Sequence, residues 1–112
     1  MRNTNQPLLD LLPRTASGDS GAVDTSGGHG DVEHSARFFL DVAAPTGTSP
    51  TLTVFVYGVV GGKNYLLHTF TQVTTTASRQ TARLDNVPKD VLVAWTMGGT
   101  NPSYTFEAWV AR

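Results

Sequence analysis

The chain has 112 residues, a formal net charge of −1 and no cysteine. That length predicts one domain with its own hydrophobic core and is too short for two. The near-neutral charge provides no basic surface for nucleic acid, and the lack of cysteine excludes disulfides and thiolate chemistry.

The N-terminal segment MRNTNQPLLDLLPR, residues 1–14, predicts an extended arm, and residues 15–112 predict the β domain. Its leucine stretch lies between two prolines and is too short to form a helix that is stable alone. These side chains need a surface, either the edge of the chain's own domain or a neighbouring subunit. The prolines and an aspartate also interrupt any signal-peptide core, and no apolar run approaches the ~20 residues that cross a bilayer, so we expect a soluble protein without a membrane partner. The leucines are Leu8, Leu9, Leu11 and Leu12.

Beyond the arm, apolar and polar residues alternate with the two-residue period of β-strands. Turn signals rich in Gly, Pro, Asn and Asp separate the alternating stretches, and no window shows the 3.6-residue period of a helix. The sequence therefore predicts an all-β fold, a single antiparallel β-sandwich or jelly-roll domain of about eight strands. The predicted strands are 22–25, 35–43, 51–60, 64–70, 79–84, 91–97 and 103–111, and 71–76 either extends the fourth strand or forms the loop after it.

Two segments are nearly the same, GTSPTLTV at 47–54 and GTNPSYTF at 99–106. In each copy the proline fixes φ, removes a hydrogen-bond donor and pushes the residue before it toward extended geometry. Each copy therefore predicts a turn that leads into a strand. We interpret the repeat as one corner used by two strands that enter a sheet from the same end; the alternative is a duplicated ligand-binding loop.

Groups that carry chemistry are sparse. The segment HGDVEH contains His29, Asp31, Glu33 and His34, but its spacing matches no zinc or calcium pattern, and we predict a solvated loop leading into a strand. His68 lies in an alternating stretch, which favours a hydrogen-bonded sheet residue over a general base. Combining it with Ser20 or Ser103 and Asp41 would assemble a triad on paper, but no nucleophile-elbow motif supports one. We predict no catalytic, cofactor-binding or metal-binding residue and no enzyme activity.

Large aromatic side chains fall on the polar side of the alternation. In the strands of Phe39, Phe55 and Trp109, the opposite side of the alternation is more uniformly apolar than the side that carries these aromatic residues. We therefore expect the opposite side in the core and these three side chains on an outer face of the sheet. Outward aromatic residues of this size favour contact with a partner. Together with the four leucines of the arm they are the predicted partner-binding residues. The alternative is a sugar-binding platform that uses Trp109, Tyr57 or Tyr65.

Four stretches of the chain form a recognisable series: TASGDSGAV, ARFFLDVAAPTGTSPTLTVFVYG, HTFTQVTTT and VLVAWTMGGTNPSYTFEAWV. In this series the chain resembles small β-sandwich virion proteins of tailed bacteriophages. The resemblance covers roughly residues 15–112 and implies a capsid decoration (cement) protein, or a tail or head-fibre accessory. It also implies the major capsid protein as partner, a location on the virion after synthesis in the bacterial cytoplasm, and self-association for which a trimer is one form. No site residues carry over, because the matching positions shape turns and cores.

Overall fold

The computed structural model describes residues 5–25 and 34–112, which form eight strands and no helix. None of these residues belongs to a helix long and apolar enough to cross a bilayer. All strand pairs are antiparallel, so the predicted all-β antiparallel fold is confirmed. The strands are β1 (Asn5–Arg14), β2 (Gly18–Asp19), β3 (Val23–Asp24), β4 (His34–Val42), β5 (Thr46–Val60), β6 (Lys63–Thr69), β7 (Ser78–Val87) and β8 (Asp90–Ala111).

The last strand, β8, organises the sheet, because it pairs with β1, β2, β3, β4 and β5. Its residues 104–111, with β1, β4 and β7, form what we call part I. Its residues 90–103, with β2, β3, β5 and β6, form part II. The path of the sheet is β6-β5-β8-β4-β7, and its two end strands contact each other, so the sheet is nearly closed in the manner of a barrel.

The inner sides of both parts form one hydrophobic core. Trp95 of part II meets Phe106 of part I edge to face, with ring centroids 5.6 Å apart. Tyr104 is fully buried, and its hydroxyl donates a 2.8 Å hydrogen bond to the carbonyl oxygen of Thr74, which ties the loop after β6 to the core. The strand residues that alternate into the core are Phe38, Leu40 and Val42 of β4, Leu52, Val54 and Val56 of β5, and Val91, Val93, Trp95, Tyr104, Phe106, Ala108 and Val110 of β8.

Over residues 5–14 the predicted arm is a strand of this same sheet. Leu8 and Leu9 keep only 7% and 6% of their surface exposed and belong to the chain's own core. Burial leaves these two leucines little surface for a partner, whereas Leu11 and Leu12 are exposed. Two register shifts between β1 and β8 explain why adjacent leucines both face inward.

Arg14, the last residue of β1, joins that strand to the core. Its guanidinium lies 5.2 Å from the ring centroid of Trp95 and 4.7 Å from that of Phe106, and it donates a 2.9 Å hydrogen bond to the carbonyl oxygen of Phe106. Burial lowers the pKa of Arg14 from its ordinary value, and Asp10 partly opposes that shift. The side chain stays charged, because an arginine is not deprotonated in proteins.

The two copies of the repeated segment pair with each other. Thr48 and Thr100 are partners in the antiparallel pairing of β5 with β8, with a register shift on either side of them. The segments are therefore irregular stretches inside two long strands, where the sequence predicted turns. They do not enter the sheet from the same end, since β5 and β8 run in opposite directions. The strands predicted at 91–97 and 103–111 are accordingly one strand.

Glycine is required in both copies, because the opposite backbone passes very close. A Cβ atom placed on Gly47 would lie 2.7 Å from the carbonyl oxygen of Asn101, and one placed on Gly99 would lie 2.6 Å from the carbonyl oxygen of Ser49. The two contacts are equivalent, because Gly47 and Gly99 occupy the same position in the two copies, as do Ser49 and Asn101. Both glycines also have positive φ, 115° and 101° respectively, where other residues are strained.

The hairpin predicted at Gly61-Gly62 is confirmed. Both glycines have positive φ, 60° and 73°, as a two-residue turn between antiparallel strands of this twist requires. Nothing lies within 4 Å of a Cβ placed on either of them. Gly61 is therefore a matched comparison for Gly99, with positive φ but open space.

We expect Gly99→Ala to lower the free energy of unfolding by at least ~2 kcal/mol more than Gly61→Ala does. Positive φ costs alanine about 1 kcal/mol at either site, but only at Gly99 must the paired backbone also move. Chemical denaturation of both variants measures the difference. Equal losses would show that the close approach of β5 and β8 carries no strain.

Candidate binding surfaces

Because strand residues alternate, each part of the sheet has an outer face opposite the core. The outer face of part I, which we call face I, carries both aromatic and charged side chains. Phe39 lies opposite Trp109 in the pairing of β4 with β8, and Asp41 lies opposite Glu107 two residues further along. This places an aromatic pair beside a pair of carboxylates, about 7 Å along the strands.

Polar contacts hold the side chains of face I. The indole N–H of Trp109 donates a 2.6 Å hydrogen bond to Oε1 of Glu107. Asp41 accepts a 3.4 Å hydrogen bond from Nε of Arg79 on β7. Each carboxylate of the pair thus accepts one hydrogen bond, Glu107 from its own strand and Asp41 from the neighbouring β7. Both carboxylates remain partly exposed. Because this ion pair is exposed, it adds little to stability.

Two adjoining depressions cross face I. One of about 240 Å³ is lined by Phe39, Trp109 and Gln80 together with the polar trio Asp41, Arg79 and Glu107. The second, of about 580 Å³, shares that polar trio and extends toward β1. Because they share these residues, the two form a continuous shallow groove with an aromatic end and a polar middle.

The outer face of part II, which we call face II, has a different chemistry. On it Tyr57 lies opposite Leu92 of β8 and opposite Leu66 of β6, and its ring centroid is 6.4 Å from that of Phe55. Leu66 keeps 56% of its surface exposed. The centre of this face, on β5, β6 and the facing residues of β8, has no charged side chain, whereas Asp19, Asp24 and Asp90 lie on the same side at the edge where β2 and β3 pair with β8. The residues of the uncharged centre are Thr53, Phe55, Tyr57, Val59, Leu66, Thr69, Leu92, Ala94 and Thr96.

The predicted partner-binding residues therefore divide among three places. Phe39 and Trp109 lie on face I, with 41% and 37% of their surfaces exposed, and Phe55 lies half-buried on face II. The leucines of β1 divide between the core and the exposed end of that strand. Alternation predicted the outward direction of the aromatic residues, but the sequence analysis missed Asp41 and Glu107 as neighbours. Only strand register brings these two carboxylates together.

Among the described residues that were considered for metal or catalytic chemistry, His68 and Ser20 already have other contacts. His29, Asp31 and Glu33 fall outside the described residues, and among those that are described no cluster of three His, Cys, Asp or Glu suits a metal ion. The ring of His68, on β6, packs edge to face on Phe70 with centroids 4.8 Å apart. The Ser20 hydroxyl is occupied by backbone, donating to the carbonyl oxygen of Gly21 and accepting from the N–H of Val93.

No protein-family model matches the sequence, and no curated protein matches it. Solved structures do resemble the fold. The VP2 subviral particle of infectious bursal disease virus aligns with a TM-score of 0.60 at 9% identity, covering 98% of this chain and 32% of that one. This chain therefore spans about a third of that capsid protein.

Two further neighbours contain carbohydrate-binding modules. The family 29 module CBM29_1 of Piromyces equi aligns with a TM-score of 0.55 at 13% identity, covering 98% of this chain and 91% of that one. The xylanase 10B fragment of Clostridium thermocellum, CBM22-1 with its GH10 module, aligns with a TM-score of 0.52 at 11% identity over 81% of this chain and 19% of that one. Identities this low establish a similar fold, shared by viral capsid and carbohydrate-binding domains, and none of the three proteins is from a phage.

We expect Trp109→Ala to lower the free energy of unfolding by about 1 kcal/mol or less, because the side chain lies on an outer face. Trp95→Ala is the comparison. It empties a buried site and leaves the carbonyl oxygen of Ala16 without its 2.8 Å donor, so we expect a loss of about 3–5 kcal/mol. Thermal and chemical unfolding of both variants measures the two losses. Equal losses would place Trp109 in the core.

Proposed function

We propose that this protein is a structural component of a tailed-phage particle. In this proposal it binds the outside of the capsid shell as a decoration protein and contacts the major capsid protein. Shell stability increases because surface is buried across neighbouring capsid subunits and binding favours the assembled state by mass action, with no chemical step. The protein acts on the virion surface after synthesis in the cytoplasm of the bacterial host.

Face II is the observation that carries this proposal. Its centre is aromatic and aliphatic and has no charged side chain, and charge depletion with aromatic enrichment is typical of the buried centre of protein–protein interfaces. The charged residues of part II, such as Asp19 and Asp90, lie at its margin beside β2 and β3. This arrangement of apolar centre and polar rim suits docking on another protein.

The fold and the sequence support the same proposal. The two sheet parts are proposed to form a β-sandwich, supported by the contact between Trp95 and Phe106 and by the β-sandwich capsid protein among the structural neighbours. The resemblance to phage virion proteins supports the particle and the bacterial host. A tail or head-fibre position uses the same kind of surface and is the alternative location. Self-association on the shell, for example as a trimer, would place copies of face II or of β1 side by side.

Carbohydrate binding is a second candidate function. The exposed aromatic pair Phe39 and Trp109, with carboxylates beside it, favours it, because amphipathic rings next to polar groups suit sugars. The two neighbours named as carbohydrate-binding modules lend it support. Face I and face II belong to different parts of the sheet, so one molecule has room for both functions.

We expect the purified protein to co-sediment with empty capsids of its phage, saturating at a fixed copy number per shell. Leu66→Asp places a charge on face II without disturbing the core, and desolvating that charge should weaken binding at least 10-fold. Thr81→Asp, a change at another exposed residue, opposite Phe39 on face I, should leave binding unchanged. Sedimentation with isolated tails is run in parallel.

Binding to tails alone would transfer the function to a tail accessory, and binding to neither would overturn the virion proposal. Equal binding by the Leu66→Asp and wild-type proteins would show that another surface docks.

A further inference from the structure

We propose that the groove of face I binds the pyranose rings of a β-1,4-linked oligosaccharide, with Phe39 and Trp109 stacking on the sugar and Asp41 and Glu107 accepting hydrogen bonds from its hydroxyl groups. The inference rests on the second candidate function and gives it a site and a ligand class. It does not depend on how the protein docks on a shell.

The aromatic pair supplies the apolar half of the site. Phe39 and Trp109 lie opposite each other on neighbouring strands and on the same face, so a ring lying across them contacts both. Both side chains keep more than a third of their surface exposed. Contact of this apolar surface with water costs free energy, which a bound ligand would recover by covering it. The hydrogen bond from the Trp109 indole to Glu107 restrains the orientation of the indole before a ligand arrives. A restrained aromatic ring loses little conformational entropy on binding.

The carboxylates supply the polar half. Asp41 and Glu107 are direct partners across two strands, an arrangement that like charges disfavour in a sheet. Such local conflicts concentrate at functional sites. Each carboxylate uses one described donor, Arg79 for Asp41 and Trp109 for Glu107, and carboxylates have further lone pairs that accept hydrogen bonds. Hydroxyl groups are donors that meet this need without adding charge.

A pyranose ring combines both requirements in one molecule. Its C–H groups form an apolar face for the aromatic pair, and its equatorial hydroxyls project from the edge toward the carboxylates. Arg79, which also lines the groove, has further N–H groups beyond the one it donates to Asp41, and these can donate to sugar oxygens.

The shape of the groove points to a chain of sugars. It is shallow and crosses several strands, and its depressions of about 240 Å³ and about 580 Å³ share the polar trio at their junction. A β-1,4-linked chain is extended and flat, with ring faces available along its length, and fits such an open surface better than a deep pocket would.

The test is isothermal titration calorimetry of the intact protein with four probes: xylohexaose, cellohexaose, chitohexaose and mannohexaose. We expect at least one probe to bind saturably. Trp109→Ala and Phe39→Ala should each weaken that binding at least 10-fold, and Glu107→Gln should weaken it several-fold while preserving the shape of the side chain. Phe55→Ala, which removes an aromatic ring from face II, should stay within twofold of wild type. Thermal melts of every variant separate lost binding from lost folding.

Absence of heat with all four probes at millimolar concentration would overturn the inference. Binding that survives Trp109→Ala and Phe39→Ala but is lost in Phe55→Ala would keep carbohydrate binding as a function and exclude this site. Shell binding is measured through Leu66→Asp on the other face, so failure of either proposal leaves the result for the other intact.

Discussion

The close approach of β5 to β8 at the two Gly-Thr-x-Pro segments is the constraint on which the rest of the structure depends. Here β8 leaves part II and enters part I, and β5 follows it through the same irregularity. A side chain on either glycine would meet backbone carbonyl oxygens, which cannot move aside as a flexible side chain does. The two inner faces therefore share one core because one strand belongs to both, with Trp95 and Phe106 in contact across the transition.

Much of the strand content could be predicted from the sequence, because alternation identifies a half-buried strand without knowledge of its partners. Strands β4 and β6 match the predicted stretches to within one residue, whereas β5 starts five residues before its predicted stretch and β7 ends three residues after it. The β1 strand could not be found this way, since adjacent Leu8 and Leu9 both face the core where a register shift allows it. The continuity of β8 was also hidden, because a Gly-Gly-Thr-Asn-Pro stretch looks like a turn until another strand is seen to pair with it.

The candidate surfaces show the same division between local and long-range information. That Trp109 and Phe39 point outward follows from alternation within each strand. That they lie side by side, with Asp41 and Glu107 next to them, depends on the register of β4 against β8, which no local pattern encodes. The uncharged centre of face II likewise forms only when β5, β6 and β8 are assembled. Single residues were predictable, and the chemistry of each face was not.

The position of β8 in the chain has a consequence for biosynthesis. Five strands hydrogen-bond to it, and it is the last strand of the sheet to leave the ribosome. Before β8 is synthesised, the strand pairs that can form among the described residues are the β5–β6 hairpin and the pair of β4 with β7. The edges of β1 and β5 that later pair with β8 remain without a partner strand until then. Folding is therefore a late event dominated by long-range pairing, which is slow and exposes aggregation-prone edges to other nascent chains. In a cell that synthesises many copies at once, the yield of folded protein would therefore depend on how fast β8 is synthesised. It would also depend on chaperones that cover the earlier strands until β8 pairs with them.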